Sequence, residues 1–152
     1  MKKLKSVFYG LGLLLLAANC TKKDPLPDAT QQGLNTFGCK IDGVAWIPTG
    51  TSGPGGTKPV SGGLRQDGTF EITAGSVTGD YSLDNRGNSY GYLNDKKVDI
   101  SYLTDKSNVG KVTILFADTT RRIISGTFYF KAKDRNSDKV IDITDGRFDL
   151  KY

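Results

Sequence analysis

Cys20 is the side chain with the plainest chemical assignment in the sequence. It follows Ala17-Ala18-Asn19, small residues of the kind a cleavage site needs, and these close an apolar run from Val7 to Ala18 behind the cationic start Met1-Lys2-Lys3-Leu4-Lys5. That run is shorter than the ~20 apolar residues of a spanning helix. Residues 1–19 therefore read as a lipoprotein signal peptide, with the Cys20 thiol diacylated and its new amine capped after cleavage. At ~0.8 kcal/mol per buried CH₂, two or three acyl chains make an anchor that rarely lets go. The implied address is the cell envelope, at the outer membrane, on its periplasmic face or at the cell surface.

The rest of the chain offers little to a catalyst. There is no histidine, which removes Ser-His and Cys-His nucleophile pairs and the ordinary zinc sites together. Glu71 is the only glutamate, and the aspartates fall mainly in turn-like contexts, where they bend backbone. Asp134, Asn136 and Asp138 echo the alternate oxygens of a calcium loop, but Lys139 stands where that loop requires glycine. Gly53-Pro54-Gly55-Gly56-Thr57-Lys58 lacks the residue order of a phosphate cradle. The reading is no catalytic residues, no metal and no cofactor. Cys39 is the one other thiol, and it alternates with Phe37 and Ile41, so it belongs to a core face.

Binding is the remaining chemistry. Tyr129 falls at an outward position of an alternating segment, and Tyr90 and Tyr92 lie among polar residues, so the three are candidates for a platform that stacks on sugar rings or meets a protein. Trp46, next to a long Gly-rich stretch, is either a fourth ligand contact or a core anchor. Nucleic acid is a poor partner. The net charge of +5 falls to +2 once Lys2, Lys3 and Lys5 leave with the signal, and no basic cluster long enough to follow a phosphate backbone remains.

These candidates must be carried by strands. Residues 20–35, with Lys22, Lys23, Asp24, Pro25, Pro27 and paired Gln, offer almost nothing to pack and read as a flexible tether behind the lipidated cysteine. Residues 36–152 are long enough for a single domain. There the pattern becomes period-2 alternation broken by Asp42-Gly43, Asp67-Gly68 and Asp145-Gly146, each the signature of a two-residue hairpin. Thr49 to Ser61, rich in Gly and Pro, reads as a long exposed loop, and residues 77–108 hold two or three short strands. Val112, Ile114 and Phe116 share one face. In Arg121 to Lys133, Ile124, Gly126, Phe128, Phe130 and Ala132 point inward and Ser125, Thr127, Tyr129, Lys131 and Lys133 outward. The end of the chain reads as a hairpin, Lys139–Thr144 against Arg147–Tyr152, with Phe148, Leu150 and Tyr152 in the core. No helical periodicity follows Cys20. The expected fold is all-β, an antiparallel β-sandwich or flattened β-barrel of about eight to ten short strands.

Three stretches carry a resemblance. Thr36-Phe37-Gly38-Cys39-Lys40-Ile41-Asp42-Gly43-Val44-Ala45-Trp46-Ile47-Pro48, Ile123-Ile124-Ser125-Gly126-Thr127-Phe128-Tyr129-Phe130 and Ile143-Thr144-Asp145-Gly146-Arg147-Phe148-Asp149-Leu150-Lys151-Tyr152 resemble a family of Bacteroidetes-type lipoproteins. Lys22-Lys23-Asp24 is similar to the short surface-display signals of such lipoproteins. The resemblance implies an envelope lipoprotein with a β domain, and it supplies no catalytic residues. The expectation is thus a non-enzymatic module, anchored to a membrane through Cys20, that binds a glycan or an envelope protein. The alternatives are a barrel carrying a small apolar ligand, or a structural or assembly subunit with a free strand edge.

Overall fold

The computed structural model describes residues 24–50, 58–66, 69–76, 79–84, 90–95, 100–105, 107 and 109–152. The signal segment and Cys20 lie outside them, as do Asp67-Gly68 and most of the Gly-rich stretch after Thr49. Among the described residues ten antiparallel strands form: β1 (Thr36–Ile41), β2 (Val44–Trp46), β3 (Val60–Leu64), β4 (Phe70–Ser76), β5 (Gly79–Asp84), β6 (Tyr90–Asp95), β7 (Ile100–Leu103), β8 (Gly110–Asp118), β9 (Ile123–Asp134) and β10 (Val140–Lys151). The domain is all-β, and residues 77–108 contribute three of its strands.

The strands make one continuous sheet in the order β2-β1-β10-β9-β7-β6-β5-β4-β3, with β8 also paired to β9. The sheet folds over on itself. Phe37, Cys39, Ile124, Phe128, Phe130, Ile143, Phe148 and Leu150 from β1, β9 and β10 share one core with Val60, Phe70, Ile72 and Ala74 from β3 and β4. Each large side chain buried this way contributes ~1.5–3 kcal/mol. The amide of Gly50 donates to the Gly75 carbonyl at 2.9 Å, tying the chain beyond β2 to β4 near the far end of the sheet. The result is a flattened two-layer body. β3 begins at Val60, inside the stretch read as a loop.

Local sequence explains most of this. Asp42 and Gly43 both take positive φ, 47° and 82°, as a two-residue hairpin requires, and join β1 to β2. β3 and β4 likewise pair around Asp67-Gly68, from Leu64↔Phe70 outward. Along β9, Ile124, Phe128, Phe130 and Ala132 are buried, as alternation demands.

Three expectations need correction. Asp145-Gly146 is no hairpin: β10 runs unbroken from Val140 to Lys151 along β9, and its register shifts between Ile143 and Gly146. Asp145 sits at φ 52° in a bulge, one extra residue against both neighbours. Gly146 is required there because a Cβ would come within 2.5 Å of the Phe128 ring. An Asp-Gly pair serves a bulge as readily as a turn, and the twelve-residue β9 alongside supplied a partner for both halves.

Second, Phe116 does not share a face with Val112 and Ile114. The β8 register slips between Ile114 and Phe116, so Val112 and Ile114 pair across from the core-facing Phe128 and Gly126, while Phe116 lies opposite outward Ser125. One inserted residue inverts a period of two.

Third, residues 24–35 are no loose tether. They pack on the outer face of β1, β10 and β9 as a strap. Leu26 is 4% exposed, and Gly38 in β1 is required beneath it, because a Cβ there would meet Pro27 Cδ at 2.7 Å. A segment with few apolar residues can still be held where its backbone donors find a buried acceptor.

Candidate functional site

That acceptor is Asp149. It stands on the outer face of β10 opposite Ser125 of β9 and Thr36 of β1, and it is fully buried. Its carboxylate accepts from the Thr30 hydroxyl, from the Gln32 amide at 3.0 Å, from the Gly33 amide at 2.8 Å and from the Leu34 amide at 3.2 Å. Burial pushes its pKa up, but the Thr30 hydroxyl and the three amides outweigh it and hold the group below 3.8. Asn35 Oδ1 then takes the Lys151 amide at 3.0 Å, leading the chain into β1. At the other end of the strap, Asp24 accepts from Arg147 Nη2 at 2.7 Å. The Leu26 amide first, and Arg147 second, lower the Asp24 pKa.

The strap leaves part of the same face bare, and Tyr129 is there. Its ring is 56% exposed. It pairs directly across from Lys111 on β8, beside the Thr113–Thr127 pair. These side chains, with Ala29 of the strap and Arg147, line a shallow groove of about 480 Å³. Lys40 and Asp145 form an ion pair at 2.6 Å, with Asp145 at the groove margin. Lys111 makes no ion pair among the described residues. The arrangement offers one flat aromatic surface, two hydroxyls and the Lys111 ammonium.

Trp46 is elsewhere. It lies across from Cys39 and meets Phe37 edge to face, with ring centroids 6.1 Å apart and planes at 89°. Phe37 is a core ring, so Trp46 and Tyr129 occupy opposite faces of the sheet and share no site. Tyr90 and Tyr92 are on β6, two strands from β9 in the sheet order, and their side chains lie outside the described ones. Of the two candidates whose side chains are described, Tyr129 lines the groove and Trp46 does not.

The loop after β9 spends its carboxylates on itself. Asp134 accepts from the Ser137 hydroxyl and from the Asn136 amide, and the first of these does most to lower its pKa. Asp138 is bound to Lys133 at 2.6 Å. Among the described residues, no three metal-ligating side chains come together.

A family model described as a domain of unknown function, DUF6252, matches residues 36–149. The chain belongs to this family. No curated protein and no solved structure matches it. The DUF6252 region opens at Thr36, directly after the strap, and closes on Asp149, the residue that fastens the strap. It contains every groove residue except Ala29. Sequence reasoning singled out Tyr129 and missed Asp149, whose only signal was a carboxylate between two core residues, Phe148 and Leu150, at an outward strand position.

Proposed function

We propose that this DUF6252 chain is a lipid-anchored protein of the bacterial cell envelope, of Bacteroidetes type, whose β domain binds a saccharide in the Tyr129 groove without catalysis. The observation that carries the reading is the exposed Tyr129 ring flanked by Lys111, Thr113 and Thr127. A sugar ring stacks its C–H face on such a surface and satisfies its hydroxyls at the rim. Lys111, which has no ion-pair partner among the described residues, favours acidic sugars. The apolar-carrier alternative is disfavoured by a filled interior, where Phe128 lies 5.1 Å from Phe37 and 6.4 Å from Phe148 between ring centroids. The absence of histidine, and aspartates engaged in structural bonds, favour a role without catalysis.

One observation supports a second reading, an assembly subunit. Among the described residues β8 pairs with β9 alone, and Val109, Ile114 and Leu115 at this edge are 63%, 39% and 51% exposed. A free apolar edge invites another strand. Binding of the full chain to a saccharide array separates the two. The first reading expects saturable binding to a uronic-acid-containing saccharide that Tyr129→Ala abolishes and Leu115→Lys spares. Loss of a protein partner through Leu115→Lys, with no saccharide bound by either form, overturns it in favour of assembly.

A further inference from the structure

The strap changes what the anchor does. Between Cys20 and Asp24 lie only Thr21, Lys22 and Lys23, and four extended steps reach about 14 Å. Were residues 20–35 a free tether, the same limit from Cys20 to Thr36 would be about 55 Å. The difference is set by the bonds to Asp149, by Leu26 and Pro27 seated on Gly38, and by the Asp24–Arg147 pair.

We infer that the strap holds the domain directly against the lipid headgroups, with the stretch of the outer face that bears Asp24, Lys40, Asp145 and Arg147 turned toward the bilayer. The inference rests on acylation of Cys20 as proposed above. Each headgroup layer is roughly 5–8 Å deep, so a leash of that reach keeps Asp24 at or just above it. The facing surface suits such a neighbour. Its charges are matched in pairs, Asp24 with Arg147 and Lys40 with Asp145, so it meets headgroups of either sign without net repulsion. Arg147 and Asp145 also line the groove, as does Ala29, which puts one side of the groove beside the membrane-facing stretch.

The test uses the full chain, purified from membranes and placed in vesicles of phosphatidylethanolamine and phosphatidylglycerol that carry a dansyl headgroup acceptor. Trp46, the only tryptophan, is the donor. Mass spectrometry of the Cys20 peptide is read in parallel. A Gly-Ser insert as long as the strap, placed between Lys23 and Asp24, touches nothing in the domain. The expected result is strong energy transfer in the native chain, a marked fall with the insert, and a similar fall in Asp149→Asn if its strands remain intact by circular dichroism. Equal transfer with and without the insert, on an acylated chain, overturns the inference and leaves the anchor standing. An unacylated Cys20 overturns both.

Discussion

Ser125 and Tyr129 stand on the same face of the same strand, four residues apart, yet one is 1% exposed and the other 56%. The alternation that makes both outward is identical. What differs is the strap, which crosses β10 at Asp149, directly opposite Ser125, and leaves the Tyr129 end of β9 uncovered. The covered half is built for holding, since a buried carboxylate gathers a hydroxyl and three amides. The uncovered half presents an aromatic ring, two threonines and the Lys111 ammonium to solvent. The lesson is that a strand's outward positions are divided into structural and functional ones by what else the chain lays over them.

Removing Asp149 should break the comparison most severely. Asp149→Ala takes the acceptor from the Thr30 hydroxyl and three strap amides, and a loss of about 3–5 kcal/mol in urea unfolding is expected. An unchanged midpoint would mean that the strap adds nothing to stability. Acid acts through the same group. Its folded pKa lies below its ordinary value of 3.8, so its contribution is complete above that value and is lost as pH falls through the folded pKa. The native chain should therefore weaken steeply in this window in thermal melts across pH, and Asp149→Asn should show a shallower dependence. Parallel curves would remove Asp149 from the acid transition.

Gly38→Val strikes the strap from beneath. The new side chain enters the space of Pro27 and Leu26, so about 1–3 kcal/mol should be lost, with amide exchange accelerating at Gln32, Gly33 and Leu34 more than in β9. A uniform acceleration over both regions would mean that strap and sheet unfold as one. The smallest effect sharpens the contrast. Among the described residues the buried Ser125 hydroxyl has no hydrogen-bond partner, and Ser125→Ala should be neutral or stabilise by up to about 1 kcal/mol. A clear loss of stability would show that the hydroxyl has a partner there.

Much of the fold was legible because its signals are local. Asp42-Gly43 dictates a hairpin by the φ angles it tolerates, and Ile124, Phe128, Phe130 and Ala132 declare a buried face by period alone. Tyr129 was legible for the same reason, as the one large aromatic among outward positions of the longest alternating run. Asp145-Gly146 misled, since the pair permits a bulge as well as a turn, and the choice rests with the neighbouring strands. Phe116 misled because a one-residue slip leaves no mark in composition.

By itself the sequence determined an all-β fold and most of its core-facing residues, because pattern and residue type act over a few positions. Only the tertiary structure decided that residues 24–35 are a strap, that Trp46 and Tyr129 lie on opposite faces, and that Asp149 is buried under one half of a face whose other half is open. The bonds that fasten the strap to Asp149 and Arg147 join residues more than a hundred positions apart. Their formation depends on where the folded sheet brings Asp149, Gly38 and Arg147, and no spacing along the chain encodes that.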